Sequence, residues 1–312
     1  MNALKPQQLD PRLAGLVHGI DLQALSRVPA ARLETTALPN IGTLELVSPD
    51  GFERDYQQLY LSMFHGGERE RPDLIVQRLR DDLDGRRSGL APYRVVGIRD
   101  HNGQAVGAAQ FSVLPLPKLG YAVPYMQYIY IRSQNRRQDL SEVLHTMALA
   151  VATADSGIDG GQGIVPFTLF ETEPPNHGTT ASSQSTATKR AQIHAKSGSR
   201  GMMLVDESGQ LCSSHVQPGL EFGDRPITLT WAIRPSPAPQ DSSHFRIDDE
   251  LGLSLLTAYY RSLREEGFRE ENVALAENMA RARCTGRRFV EIALDAITPA
   301  MYQNLEPAES LP

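Results

Sequence analysis

Between residues 125 and 170 the chain alternates in a way that leaves few ways to fold. Tyr125 to Ile131 is a strand-sized apolar run, Leu140 to Ala154 has the length and pattern of one helix, and Ile164 to Phe170 is a second apolar run. Two strands joined by a helix lie parallel in one sheet, because the crossover must carry the chain back over a sheet face. Upstream, Tyr93–Ile98 and Ala105–Val113 flank Asp100-His101-Asn102-Gly103, and Asn-Gly between two apolar runs predicts a hairpin, hence an antiparallel pair. Ile41–Val47 predicts a first strand, and Gly201–Val205, Ser213–Val216 and Ile227–Ile233 predict later ones. The sum is an α/β fold: a mixed, mostly antiparallel sheet with helices on both faces.

Phe52–Phe64 and Asp73–Leu83 carry apolar residues at helical spacing. So do Ile247–Gly267 and Glu271–Ala282, and a helix is also expected over Arg288–Ala296. Thr179–Thr188 is rich in Ser, Thr and Ala without an apolar period, which predicts a mobile loop, with a short helix over Lys189–Lys196. The expected organisation is an N-terminal extension over 1–40, one domain over 41–236, and a C-terminal helical segment over 241–312. That segment has a stripe of Leu251, Leu255, Tyr259 and Leu263. It is expected to pack on the core as a lid or extra layer, with a homodimer contact as the second reading.

Composition narrows the partners. With 31 Lys+Arg against 37 Asp+Glu in 312 residues, no bulk basic excess points to nucleic acid. The two cysteines, Cys212 and Cys284, have neither disulfide-framework nor zinc spacing, so no metal and a reduced, cytoplasmic chain are expected. No apolar run is long enough to span a membrane, and Met1–Asp10 lacks the pattern of a secretory signal.

The chemistry is expected where the strand ending at Ile129-Tyr130-Ile131 passes through Arg-Ser-Gln-Asn-Arg-Arg-Gln-Asp into a helix beginning Leu140-Ser141. A helix start offers amide hydrogens without intrahelical partners and the positive end of the dipole. Arg136 and Arg137 add fork-shaped donors beside it, an arrangement suited to a diphosphate. The plain alternative is a capped helix, with Asp139 as N-cap and Glu142 three residues on.

This segment resembles motif A of the GNAT acyltransferase superfamily: a strand, then Arg/Gln-x-x-Gly-x-Gly/Ala, then a helix. Ile131 matches the strand end and Arg136 the first basic position. Leu140 matches the apolar residue between the glycine positions, Ser141 the last small residue, and Leu144 the core-facing helical position. Arg137 and Asp139 depart from the pattern: they occupy positions that are usually glycine or variable, and glycine, respectively. The resemblance covers about residues 41–235.

The resemblance implies an acyltransferase that moves an acyl group from acetyl-CoA or another acyl-CoA to an amine, with no metal. The amides of Arg137, Gln138, Asp139, Leu140 and Ser141 and the Arg136 side chain would hold the pyrophosphate. The strand through Ile129, Tyr130 and Ile131 would pair with the pantetheine arm. The acceptor would be a small-molecule or peptide amine.

Three residues are candidates for proton transfer. Glu171 and Glu173, at the carboxyl end of a strand and two residues apart, are expected on one face, where either could take the proton of the attacking amine; solvated loop carboxylates are the alternative. His194 stands where many GNAT enzymes have a tyrosine that protonates the leaving thiolate; a surface or structural histidine is the alternative. His177 reads as a turn residue. Cys212 has no base near it in sequence. The departures at 137 and 139 motivate two further readings: a GNAT-fold enzyme that takes its acyl group from a carrier-protein thioester or an aminoacyl-tRNA, and a catalytically dead binding or regulatory module.

Overall fold

The computed structural model describes residues 8–27, 41–64, 69–136, 138–157, 163–221, 223–238 and 245–302. The chain forms two compact units, one of Met1–Thr168, Ser236–His244 and Glu265–Gly267, the other of Leu169–Pro235, Phe245–Arg264 and Phe268–Pro312. The division at 168/169 falls inside the segment that the sequence suggests as a single domain, because the units follow spatial packing rather than chain order.

The first unit is built on four antiparallel strands in the order β1 (Thr43–Leu46), β2 (Tyr93–Arg99), β3 (Ala105–Leu116) and β4 (Tyr121–Ile131). The β2–β3 hairpin forms where Asp100-His101-Asn102-Gly103 predicts it. The Asp100 carboxylate accepts from the amides of Asn102 and Gln104, and Gly103 supplies the left-handed residue at φ 75°. The β3–β4 register shifts between Gln110, opposite Tyr128, and Phe111, opposite Met126, so Gln127 is the extra residue of a bulge.

Helix α1 (Pro11–Leu16) is capped by Asp10, whose carboxylate accepts from the Leu13 amide. Helix α2 runs from Pro49–Gly51 through a π-type turn, Phe52–Tyr56, into Gln57–Met63. With α3 (Pro72–Leu83) it buries Phe52, Tyr56, Tyr60, Ile75 and Leu79 against Tyr93, Val95 and Tyr130 of the sheet. Tyr56 crosses β2 at Gly97, where an added Cβ would overlap its ring, and its hydroxyl donates to Glu45 at 2.6 Å.

Helix α4 (Leu140–Gly157) packs against β2, β3 and β4. It is the helix of the expected crossover, and the chain after it returns beside the start of β4: Tyr121 and Ile164 form a parallel bridge. Arg94 of β2 is held by Asp155 of α4 at 2.9 Å and by Asp82 of α3 at 2.8 Å.

The second unit orders its strands β5 (Phe167–Thr172), β9 (Ile227–Pro235), β6 (Arg200–Asp206) and β10 (Arg287–Ala293). Short β7 (Leu211–Ser213) pairs with β6, and β8 (His215–Gln217) with β9. Two expectations are corrected here. Arg288–Ala296, expected to be helical, is mostly strand: β10 pairs antiparallel with β6 from Arg287 opposite Asp206 to Ala293 opposite Arg200. Of its residues only Phe289 is buried. Thr179–Thr188, expected to be a mobile loop, instead supplies the first half of α5 (Ala181–Lys196). Thr180 and Ser183 form a reciprocal capping box, and Ala187 and Ala191 are buried one turn apart.

In α6 (Asp249–Glu265) the expected stripe Leu251, Leu255, Tyr259 and Leu263 is buried, and α7 (Glu270–Cys284) follows. Gly252 of α6 lies under the Phe289 ring of β10, where any Cβ would collide.

Candidate functional site

In the first unit, β4 ends at Ile131 and Ser133–Asn135 forms a single 3-10 turn before α4 begins at Leu140. Helical bonding starts when the amides of Glu142 and Val143 donate to the Asp139 carbonyl, at 2.9 and 3.2 Å. Amides ahead of these have no intrahelical partner by construction. Asp139 itself is left-handed, with φ 57°. That conformation costs a residue with a Cβ about 1 kcal/mol, and it occurs at the position where the resemblance calls for glycine. A left-handed residue next to right-handed ones turns successive amide hydrogens toward a common point, which favours an anion.

The Arg136 side chain folds across the bend. Its Nε donates to the Ile131 carbonyl at 3.3 Å and its Nη2 lies 3.7 Å from Met63 Sδ of α2. Gln138 and Leu140 are placed around the same bend, Ser141 is exposed in the first turn of α4, and Arg137 lies outside the described residues. Beside the bend opens a cleft of about 510 Å³, lined by Asp55, Gln58, Ser62, Arg132, Ser133 and Gln134 among others.

Tyr128 and Tyr130 of β4 pack with Tyr60 and Phe64 of α2, the ring centroids 4.9 to 5.9 Å apart. Behind this cluster lies a buried charge network. Arg78 of α3 pairs with Glu70 and, at 3.2 Å, with Glu266. Glu266 also accepts from Ser112 of β3 at 2.5 Å and from the bulged Gln127 of β4 at 2.7 Å. Nothing in the spacing of residues 70, 78 and 266 signals this grouping.

In the second unit the structure separates the two carboxylates that strand periodicity places together. Glu171 lies within β5; Glu173 follows the strand's end at Thr172 and forms a surface pair with Arg190 of α5 at 2.9 Å. Glu171 turns inward. Its side chain is 11% exposed, and its Oε1 accepts from His215 Nε2 at 2.6 Å and from the Tyr259 hydroxyl at 2.8 Å. His215 is fully buried, stacked on Trp231 with centroids 4.6 Å apart and rings 17° from parallel, and edge-on to Tyr259 at 4.9 Å.

Sequence reasoning missed His215 and Tyr259. The only signals were a histidine inside a short apolar strand and a tyrosine on an apolar helical stripe, and both read as core.

His194 lies on α5 with its ring 4.7 Å from that of Phe170. Burial, aided by the charges of Arg190 and Arg234, pushes its pKa down to about 4. It is therefore neutral near pH 7, with no imidazolium proton to give a thiolate. The expected acid role does not fit this environment. His177 sits in a turn, its amide donating to the Pro174 carbonyl at 3.1 Å. Burial raises the pKa of both thiols, that of Cys284 to about 11, so neither is an activated nucleophile. Among the described residues no group of His, Cys, Asp or Glu could hold a metal ion, and no helix is long and apolar enough to cross a membrane.

No family model and no curated protein matches the sequence. Solved structures do resemble it in backbone. The spermidine/spermine N-acetyltransferase of Vibrio cholerae aligns over 67% of this chain and 100% of its own, at 11% identity and a TM-score of 0.38. A GNAT superfamily phosphinothricin acetyltransferase of Sinorhizobium meliloti, solved with AcCoA, aligns over 62% and 88%, at 15% identity and a TM-score of 0.35. The Arabidopsis thaliana protein NAA60, solved with a bisubstrate analogue, aligns over 62% and 96%, at 12% identity and a TM-score of 0.36.

Proposed function

We propose that this chain is a GNAT-type N-acyltransferase that takes its acyl group from a coenzyme A thioester and gives it to an amine. The observation that carries this reading is the bend between β4 and α4. Asp139, which stands where motif A has glycine, adopts a left-handed backbone there, one residue before a helix start.

On this reading the amides around 138–141 and the Arg136 guanidinium hold the diphosphate, and β4 through Ile129, Tyr130 and Ile131 runs beside the pantetheine arm. The amine nitrogen attacks the thioester carbonyl. A C–N bond forms, the C–S bond breaks, the nitrogen gives one proton to Glu171, and the thiolate leaves and is protonated from solvent. Direct transfer needs no nucleophile on the protein, in keeping with two thiols of raised pKa. Of the two carboxylates we take Glu171 as the acceptor, because it turns inward from β5 while Glu173 lies at the surface with Arg190.

Calorimetry with acetyl-CoA and longer acyl-CoAs tests the donor. Micromolar binding is expected, weakened roughly five- to fifty-fold in Arg136→Ala, in line with the loss of a charge-assisted contact of about 1–2.5 kcal/mol. Unchanged affinity in that variant would count against the placement. The Asp139 carboxylate at the bend favours one second reading, in which the donor is a carrier-protein thioester or an aminoacyl-tRNA. Its mark would be no binding of free acyl-CoA together with acyl transfer from the carrier.

A further inference from the structure

We propose that His215 and Tyr259 are positioning residues that hold the Glu171 carboxylate in one orientation for proton transfer at the end of β5. This rests on the reading of Glu171 as the proton acceptor. Two donors from two other elements, β8 and α6, converge on the same oxygen at 2.6 and 2.8 Å. Neither donor is loose. The rings of His215, Trp231 and Tyr259 pack mutually, with centroid separations of 4.6, 4.9 and 5.5 Å, so each is wedged by the other two. The backbone under His215 is also tied down. Its amide donates to Ser213 Oγ at 3.2 Å, and its carbonyl accepts from Arg283 of α7 at 3.2 Å.

The tautomer follows from the chemistry of the partner. An ionised carboxylate only accepts, so His215 Nε2 carries the proton. His215 Nδ1 is buried with no hydrogen-bond partner among the described residues. Other titratable groups near Glu171 on the packed elements include Tyr260 of α6 and Glu277, Arg281 and Arg283 of α7. Tyr260 donates to the Val216 and Ala276 carbonyls, at 2.7 and 3.2 Å. Arg283 donates to the His215 carbonyl and to Thr228.

The bland alternative is a polar tie between three elements. Such ties are often replaceable by apolar groups at little cost. The two readings differ in what happens to the carboxylate. Donors to the ionised form lower its proton affinity, so losing one raises it. If Glu171 takes the proton, the acid limb of the rate profile must follow.

The test uses the full chain with 13C-labelled glutamate, the Glu171 carboxyl signal being assigned from Glu171→Gln. Carboxyl titrations of wild type, Tyr259→Phe and His215→Gln are compared. Each variant is expected to raise the Glu171 midpoint by about half to one pH unit. Thiol release from acetyl-CoA with a panel of primary amines is expected to show the acid limb of kcat/KM moving by the same amount. Acetyl-CoA affinity should stay within about twofold. Tyr259→Phe deletes one hydroxyl and decides the matter if His215→Gln fails to fold. An unchanged Glu171 midpoint in a folded Tyr259→Phe protein overturns the proposal, whatever the turnover. An inactive Glu171→Gln, with acid limbs unmoved in the other two variants, overturns the positioning role and leaves the proton-acceptor role standing. A fully active Glu171→Gln removes both.

Discussion

Asp139 and His194 sit in a conformation and in surroundings that residues of their type mostly avoid. Asp139 holds φ 57°. Asp139→Gly should relieve the Cβ strain and stabilise the fold by up to about 1 kcal/mol in urea denaturation, less the entropy that glycine adds to the unfolded chain. It also removes a carboxylate from the proposed diphosphate site, so acetyl-CoA affinity should rise several-fold. Unchanged affinity would mean that the carboxylate faces away from the ligand. His194 makes the second case. Its folded pKa of about 4 lies below the ordinary histidine value of 6.5, so below pH 6.5 the unfolded chain binds a proton that the folded one refuses. The stability associated with a neutral His194 is present above pH 6.5 and drains away as pH falls toward 4, by on the order of 2 kcal/mol. His194→Asn should flatten that stretch of the stability curve; an identical slope in the variant would refute the assignment.

Elements show where periodicity informs and where it misleads. The Asn-Gly hairpin, the crossover helix and the buried stripe of α6 all lie where short-range pattern puts them, because local chemistry and burial agree there. Helix α5 was hidden by composition: its Ser, Thr and Ala residues leave only Ala187 and Ala191 as a buried seam. What starts it is the capping box, and Thr180→Ala should cost about 1 kcal/mol, read as a lower melting temperature. Strand β10 was hidden for a different reason. Within Arg287–Ala293 only Phe289 is buried, so no two-residue burial period marks the strand, and its strand character comes from pairing with β6. Gly252 is the contact on which that corner turns. Gly252→Ala should destabilise by about 2 kcal/mol or more, because a Cβ and the Phe289 ring claim one volume. Equal stability would show that β10 yields easily.

At the scale of the molecule, chain order and spatial packing part company. The short stretch Glu265–Gly267, at the end of α6, belongs to the first unit, where Glu266 is fully buried against Arg78, Ser112 and Gln127. Glu266→Ala should destabilise that unit by about 3–5 kcal/mol, since it strips a buried guanidinium of one of its partners. A loss under 1 kcal/mol would mean that Glu70 alone neutralises Arg78. From the sequence alone came what neighbours in the chain decide: the strand–helix–strand order and the tight turns, since these depend on residues a few positions apart. Only the tertiary structure decided which carboxylate turns inward. Glu171 meets its partners 44 and 88 positions along the chain, while Glu173, two residues on, stays at the surface with Arg190. No local period encodes such a meeting, because it is the packing of distant elements that removes water from one carboxylate and leaves the other solvated.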